Sequence, residues 1–134
     1  MEIAQSLLPN SPFLRLENWQ IDKISTQIIL NVVSTQPLAY CPLSQQVAHR
    51  IHSHYERTLA DLPWGEYQVL WQLQVRKFFC SNPNCQRHIF TERLANVVAP
   101  WARKTKRMAK RQRSIGLALG GIAGARLSQK LDYT

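Results

Sequence analysis

The chain has 134 residues, a formal net charge of +9 and three cysteines. A chain of this length forms one domain, or two small domains with modest cores, and is short for an enzyme. The odd number of cysteines and the absence of a charged-then-apolar leader predict a reducing, cytoplasmic location and exclude a disulfide framework. Since no apolar run approaches the roughly 18 residues needed to span a bilayer, we expect no membrane partner.

The N-terminal segment is predicted to contain a β-hairpin. Leu14, Leu16 and Trp19 approach one face of a first strand. The β-branched run at residues 27–33 suits a second strand, and residues 23–26 suit the turn between them. This hairpin precedes the first cysteine.

Two further strands are predicted between the first and second cysteines. Residues 47–55 favour a strand, after which residues 58–65 are expected to break the strand and turn the chain. Residues 67–76 favour a second strand, because apolar and polar side chains alternate there, the apolar ones being Val69, Trp71, Leu73 and Val75. We therefore expect short antiparallel strands that hold a cysteine turn at one end.

The cysteines form one intact and one incomplete metal-binding turn. Cys80 and Cys85 are separated by Ser-Asn-Pro-Asn, whereas Cys41 begins a Cys-Pro-Leu-Ser sequence in which Ser44 stands where a second cysteine would complete the turn. Structural zinc takes four ligands in a tetrahedron, and paired turns of this kind are typical of a zinc ribbon. We therefore predict that Cys41, Cys80 and Cys85 bind zinc together.

Spacing alone leaves the fourth zinc ligand open. His88 lies three residues after Cys85, a spacing that can close on one ion, and it is our candidate. His49, His52 and His54 follow the first turn and are alternatives, as is water, because serine is a poor zinc ligand. In the opposing interpretation, the three cysteines are small apolar side chains of a zinc-free core.

The positive charge is concentrated in the C-terminal part of the sequence. Residues 1–92 carry seven Lys or Arg and seven Asp or Glu, whereas residues 93–131 carry ten Lys or Arg and no acid. Such a segment can neutralise phosphates and release their counterions. The alternative is a solvated basic face that serves only solubility.

From Pro100 the apolar period lengthens from two residues to between three and four, which predicts a basic amphipathic helix. Its apolar stripe consists of Trp101, Thr105, Met108, Gln112, Ile115 and Leu119. The candidate DNA-binding residues occupy the remaining face: Arg103, Lys104, Lys106, Arg107, Lys110, Arg111 and Arg113. Gly120 and Gly121 end this helix, and residues 122–131 resume a shorter one, as at the opening of a helix-turn-helix.

These patterns predict an α+β fold, with a small antiparallel zinc-ribbon-like sheet followed by a C-terminal helix-turn-helix-like segment. We divide the chain into residues 1–36, an extension with the hairpin; residues 37–98, the zinc-ribbon-like domain; and residues 99–134, the basic helical segment. The last boundary marks the change of apolar period.

Several blocks of sequence carry a family resemblance, namely Cys41-Pro42, residues 51–64, residues 76–80 with Cys85, residues 89–93, and residues 115–121 followed by 124–127. In this order they resemble the N-terminal part of bacterial insertion-sequence transposases of the IS-L-three family. In that family the cysteine turns form a zinc finger, a helix-turn-helix follows, and a nuclease domain with an Asp-Asp-Glu metal triad completes the enzyme.

The resemblance implies that the chain binds double-stranded DNA of transposon inverted repeats. A second expected partner is full-length transposase or another copy of the chain. The sequence departs from the family at Ser44, and it ends before the second helix pair and the nuclease domain would follow. We therefore expect a non-catalytic DNA-binding head. In agreement, no two-metal carboxylate cluster is expected from the acids Glu56, Asp61, Glu66 and Glu92.

Two other classes of function compete with DNA binding. The first is a zinc-ribbon module that docks on another protein, with its basic helix against an acidic partner. The second is a small hydrolase that uses Cys80 or Cys85 with His88. Nothing in the sequence supplies the activating third group or the oxyanion site that a hydrolase needs.

Overall fold

The computed structural model describes residues 8–9 and 12–119, which are mostly β-sheet with one helix. The elements are β1 (Leu14–Asp22), β2 (Gln27–Ser34), β3 (Ala39–Tyr40), β4 (Val47–Ala48), β5 (Ile51–Trp64), β6 (Tyr67–Phe79), β7 (Ile89–Thr91) and α1 (Lys106–Leu119). The large sheet has the order β1-β2-β6-β5, with β7 also paired to β6, and β3 and β4 form a two-stranded sheet. The predicted glycine turn and second helix lie outside the described residues.

The predicted N-terminal hairpin is confirmed, since β1 and β2 pair antiparallel. A β-bulge between Leu16 and Asn18 gives β1 one extra residue there. Trp19, three residues after Leu16, therefore returns to the face of Leu16 and lies opposite the buried Leu30. It remains 40% exposed because β1 is an edge strand.

β6 is the central strand and carries much of the core. It pairs with β5 along one edge, and its other edge is shared by β2 and then β7. The alternation is confirmed, because Val69, Trp71, Leu73 and Val75 are all buried. The predicted antiparallel pairing between the cysteines is confirmed by β5 and β6, whereas β2 joins the same sheet parallel to β6. A parallel pair needs a long connection, which β3, β4 and β5 provide.

The predicted strand over residues 47–55 is interrupted in the structure. β4 ends at Ala48, and β5 begins at Ile51 as part of a different sheet. The backbone N–H of Phe79 donates to the carbonyl oxygen of Arg50 (2.9 Å), so the link between β4 and β5 already lies against the end of β6. The chain therefore changes sheets at residues 49–50.

The break predicted at residues 58–65 was also wrong, because β5 continues to Trp64. Pro63 is tolerated because β5 is an edge strand and its register shifts between Asp61 and Trp64. The reversal occurs at Gly65 and Glu66, between the paired residues Trp64 and Tyr67. Gly65 has a φ of 60°, which suits the first position of a type II′ hairpin turn.

Two clusters of buried side chains lie along β6. The larger joins the hairpin, β5 and β6 to the segment that follows β7, and includes Leu16, Leu30, Leu59, Trp71, Leu73 and Val98. The smaller surrounds the cysteines and consists of Ala39, Cys41, Ala48, Phe78, Cys85 and Phe90. The larger core crosses the predicted boundary at residues 36 and 37, and the division into three domains stays a prediction.

A buried glutamate connects the two core regions. Oε1 of Glu92 accepts hydrogen bonds from Oγ of Ser34 (2.6 Å) and Nε2 of Gln36 (2.9 Å). Its Oε2 accepts from the backbone N–H (2.7 Å) and Nε (3.1 Å) of Arg76. A buried carboxylate is tolerated only when it is paired and hydrogen-bonded in this way. Glu92 thus joins the end of β2 to β6 beside the cysteine-containing region.

Candidate metal centre and nucleic-acid interface

The three cysteines meet at one point, as predicted. Cys41 follows β3, and Cys80 and Cys85 lie on the turn after β6. Their sulfur atoms all lie within 4.8 Å of one another, and Sγ of Cys41 is 3.9 Å from Sγ of Cys85. A tetrahedral zinc ion with Zn–S bonds of about 2.3 Å holds two sulfurs about 3.8 Å apart. The spacing and chemistry of the thiols therefore fit zinc.

Backbone hydrogen bonds shape both cysteine turns. In the first turn, the N–H of Gln45 donates to the carbonyl oxygen of Cys41 (2.8 Å). The N–H of Cys41 donates in turn to the carbonyl oxygen of Gln46 (3.0 Å). In the second, the N–H of Cys80 donates to the carbonyl oxygen of His88 (2.8 Å). These bonds fix the backbone conformation of both turns that carry the sulfurs.

Ser44 lies beside the remaining position of the thiol cluster, with its Oγ 3.4 Å from Sγ of Cys80. The ring of His88 is exposed, and among the described residues the group of candidate ligands contains the three cysteines without it. His88 contributes its main chain to the turn, and its role as a zinc ligand stays a prediction. The alternatives His49, His52 and His54 are exposed and lie outside the group as well.

Two of the cysteines differ in pKa. Burial alone would raise the pKa of Cys41, but hydrogen bonds from the side chain and backbone of Ser44, with smaller contributions from Leu43 and Cys80, lower it to about 6. Burial raises the pKa of Cys85. The thiolate is the form that binds metal. The lowered pKa of Cys41 favours its thiolate, whereas the raised pKa of Cys85 favours its protonated thiol.

A buried carboxylate on β5 holds α1 against the sheet. Oδ1 of Asp61 accepts from Oγ1 of Thr105 (2.6 Å) and Nε of Arg107 (2.8 Å). Its Oδ2 accepts from Nε1 of Trp71 (3.0 Å) and from Nη2 of Arg107. Asp61 is 2% exposed and forms a bidentate ion pair with Arg107, the strong geometry for such pairs.

Thr105 begins the helix while it contacts Asp61. Its Oγ1 accepts from the backbone N–H of Met108 (3.4 Å), as an N-cap residue does. The N–H of Thr105 also donates to the carbonyl oxygen of Ala60 (3.0 Å) on β5. The first turn of α1 is thereby fixed to β5 through both backbone and side chain.

The predicted apolar stripe is only partly correct. Thr105 and Met108 are buried, as expected, but Trp101 lies before α1 and is 90% exposed. The backbone contacts of Ala60 explain the difference, because they delay the helix until Lys106. No helix within residues 8–9 and 12–119 is long and apolar enough to cross a membrane.

The structure separates the predicted DNA-binding residues by environment. A concave surface beside α1 is lined by Lys104, Lys106, Lys110 and Arg113, with Ala99, Ala109 and Gln112, and no acid among the described residues lines it. Arg103 and Arg111 are exposed but lie outside this surface. Arg107, by contrast, is bound to Asp61. We call the surface lined by the four cations the basic face.

A second basic concavity was missed from the sequence. A cavity of about 290 Å³ beside β5 is lined by residues that include Arg57, Arg87, Arg93, Arg103 and Trp101. These residues come from separate parts of the chain, and the predicted segregation of positive charge after residue 92 includes only Arg93 and Arg103 of the four arginines.

Two cysteine turns that bring three thiols together at the end of a sheet define a zinc-ribbon-like class of protein. Residues 38–87 match the model of a family described as the zinc-finger of transposase IS204/IS1001/IS1096/IS1165. The match includes all three cysteines and supports an IS-L-three-type transposase N-terminal region. The family description and the group of three thiols are both consistent with zinc binding. Comparisons with curated proteins and with solved structures found no match.

Proposed function

We propose that the chain is the DNA-binding N-terminal region of an insertion-sequence transposase and that its basic face binds the phosphates of transposon-end duplex. The observation that carries this proposal is the group Lys104, Lys106, Lys110 and Arg113, which share one concave surface that no carboxylate of residues 12–119 lines. Cations arranged in this way release counterions when they bind DNA. The match to a transposase zinc finger supports the setting.

The rest of the structure supports the orientation of this face. Asp61 engages Arg107 and Thr105 on the side of α1 that meets the sheet. This contact leaves Lys106 and Lys110 exposed to solvent, where they can reach phosphates. In this proposal the chain binds DNA in the bacterial cytoplasm and catalyses no reaction itself, and the terminal inverted repeats are its target.

We expect modest discrimination between DNA sequences. Lysine and arginine contacts to phosphates position a protein on a duplex but do not read bases, which are recognised in the grooves. The basic face consists of such cations, so most of its affinity should be common to all duplexes. Recognition of inverted repeats would require further contacts to base edges.

The test is a titration of inverted-repeat and scrambled duplexes at several salt concentrations. The variant Lys106→Gln/Lys110→Gln/Arg113→Gln should weaken binding to both duplexes and reduce the salt slope by about 0.9 for each phosphate that is no longer neutralised. The matched control, Arg15→Gln/Lys23→Gln/Arg50→Gln, removes the same charge from exposed positions away from the basic face.

The two variants distinguish DNA binding by the basic face from an effect of the protein's net charge. If only the variant Lys106→Gln/Lys110→Gln/Arg113→Gln binds DNA more weakly, the result supports DNA binding by the basic face. If the control variant is weakened equally, the affinity depends on the net charge of the protein. If wild type binds duplex with no dependence on salt, phosphate binding is excluded, and docking on a protein becomes the better account of the fold.

A further inference from the structure

An exposed tryptophan borders the cavity lined by arginines. Trp101 is 90% exposed, and it lines this cavity together with Arg57, Arg87, Arg93 and Arg103. The volume of about 290 Å³ is near the lower end of the roughly 300–1,000 Å³ of small-ligand pockets, so it suits a single small group.

The charge of the cavity is predominantly positive. Two acids also line it, Glu56 and Glu92. The carboxylate of Glu92 is buried and already bound to Arg76, so it does not offset the arginines of the cavity. Glu56 is left as an exposed carboxylate against four arginines. An anionic ligand is therefore favoured.

Trp101 occupies an unfavourable position in a tight turn. The N–H of Ala102 donates to the carbonyl oxygen of Ala99 (3.2 Å), and Trp101 has a φ of 66°. With Pro100 in the second position, these are the features of a type II turn, whose third position favours Gly or Asn. A bulky residue at positive φ is a strained outlier, and such outliers are concentrated at functional sites. Burial does not compensate for the strain, because the side chain is exposed.

The turn that carries Trp101 is held firmly on β5. Nη2 of Arg57 donates to the carbonyl oxygens of Ala102 (2.6 Å) and Ala99 (3.3 Å). The N–H of Lys106 also donates to the carbonyl oxygen of Val97 (2.7 Å), which closes the segment before α1. The indole is therefore presented on a preorganised backbone, which reduces the entropic cost of binding.

We propose that this cavity binds one unpaired nucleotide of DNA, with the base stacked on Trp101 and the phosphate bound by Arg87, Arg93 and Arg103. An aromatic face stacks with any base, and guanidinium groups suit phosphate oxygens. Arg57 is a positioning residue that supports the turn. The cavity is distinct from the basic face, and Arg103 lies shortly before α1, so the combined site favours a duplex that carries a single-stranded end.

The test compares a blunt duplex with the same duplex bearing a short single-stranded extension, by fluorescence anisotropy. Wild type should bind the extended duplex about tenfold more tightly, as expected for one stacked base. Trp101→Gly should abolish this preference but leave blunt-duplex affinity unchanged, while Trp101→Phe should retain most of the preference. Trp64→Ala is the matched control, since Trp64 is an exposed tryptophan outside the cavity lining.

The melting temperature of Trp101→Gly shows whether a lost preference for the extended duplex is due to misfolding. Glycine accepts the φ of position 101, so Trp101→Gly should melt at the wild-type temperature or above it. A wild type without preference for the extended duplex, or a Trp101→Gly variant that keeps it, would overturn the proposal. These readouts are differences between two DNA forms, so they are separate from the weaker blunt-duplex binding that tests the basic face.

Discussion

Two attachments hold other parts of the chain to the long β5–β6 hairpin, namely the Asp61 contacts with α1 and the cluster of three cysteines, and their chemistry differs. At Asp61, the chain supplies every partner of the buried carboxylate, including the cation Arg107. At the cysteine cluster, the sulfur atoms of three thiols lie within 4.8 Å of one another. The first attachment is complete once the chain folds, whereas the second offers three thiols that a bound metal ion would hold together.

The largest expected effect comes from the Asp61 attachment. Asp61→Ala should lower the free energy of unfolding by about 3–5 kcal/mol, because it leaves Arg107 partly buried without its counter-ion and Trp71 without an acceptor. Denaturant unfolding measures the decrease. Glu56→Ala, at an exposed acid on the same strand, should change stability by less than about 0.5 kcal/mol. Similar small effects for both variants would contradict the role of Asp61 in holding α1.

Zinc removal should have the next largest effect, and only at the cysteine attachment. At free zinc about 100 times the dissociation constant, bound metal contributes about 2.7 kcal/mol to the stability, which a chelator would remove. Thermal melts with and without chelator measure this for wild type, for Cys41→Ala, which should not respond, and for Asp61→Ala, which should still respond.

The variant His88→Ala tests the fourth ligand in the same melts. A retained response to chelator would show that the ring does not bind zinc, as its exposure favours. An abolished response would instead assign the fourth position to His88. Elemental analysis that finds no zinc in protein purified without chelator would refute the metal site but leave the fold intact.

A fourth thiolate at the cysteine cluster would let the chain supply every zinc ligand there, as it already supplies every partner of Asp61. Ser44→Cys places a fourth thiolate beside Cys80, where Ser44 Oγ now lies 3.4 Å from the sulfur. We expect zinc affinity to rise about tenfold, equivalent to about 1.4 kcal/mol, with a matching rise in melting temperature. Competition with a chromophoric chelator measures the affinity, and Ser44→Ala is the control. An unchanged affinity would mean that another group already fills the fourth position.

A separate effect should appear in the pH dependence of the metal-free protein. The pKa of Cys41 is lowered from 9.0 to about 6 on folding, so the unfolded state binds more protons between these values. Stability should therefore rise from pH 6 to pH 9, and fall as pH drops towards 6. The raised pKa of Cys85 acts above pH 9, outside this window.

Chelator-treated wild type and Cys41→Ala should accordingly diverge as pH rises from 6 to 9. A constant difference between their unfolding free energies would contradict the lowered pKa.

Local patterns in the sequence predicted several features correctly. The β1–β2 hairpin and the buried alternation of β6 follow from the preferences of neighbouring residues. The meeting of Cys41 with Cys80 and Cys85 follows from ligand chemistry that requires such a group. The strand break predicted around Pro63 was wrong, because proline usually ends a strand but here lies in an edge strand at a register shift.

Sequence alone determined the types of zinc ligand, the segregation of positive charge and the helical period after Pro100, because each depends on residue identity and close spacing. Only the tertiary structure decided which cations are available to DNA. Arg107 and Lys106 are adjacent and chemically similar in the sequence, yet one is bound to Asp61 and the other lines the basic face. That distinction depends on which remote residue the fold brings within a few ångströms, as does the position of the exposed Trp101 beside arginines that are distant in the sequence. Neither can be predicted from the charge or the periodicity of the sequence.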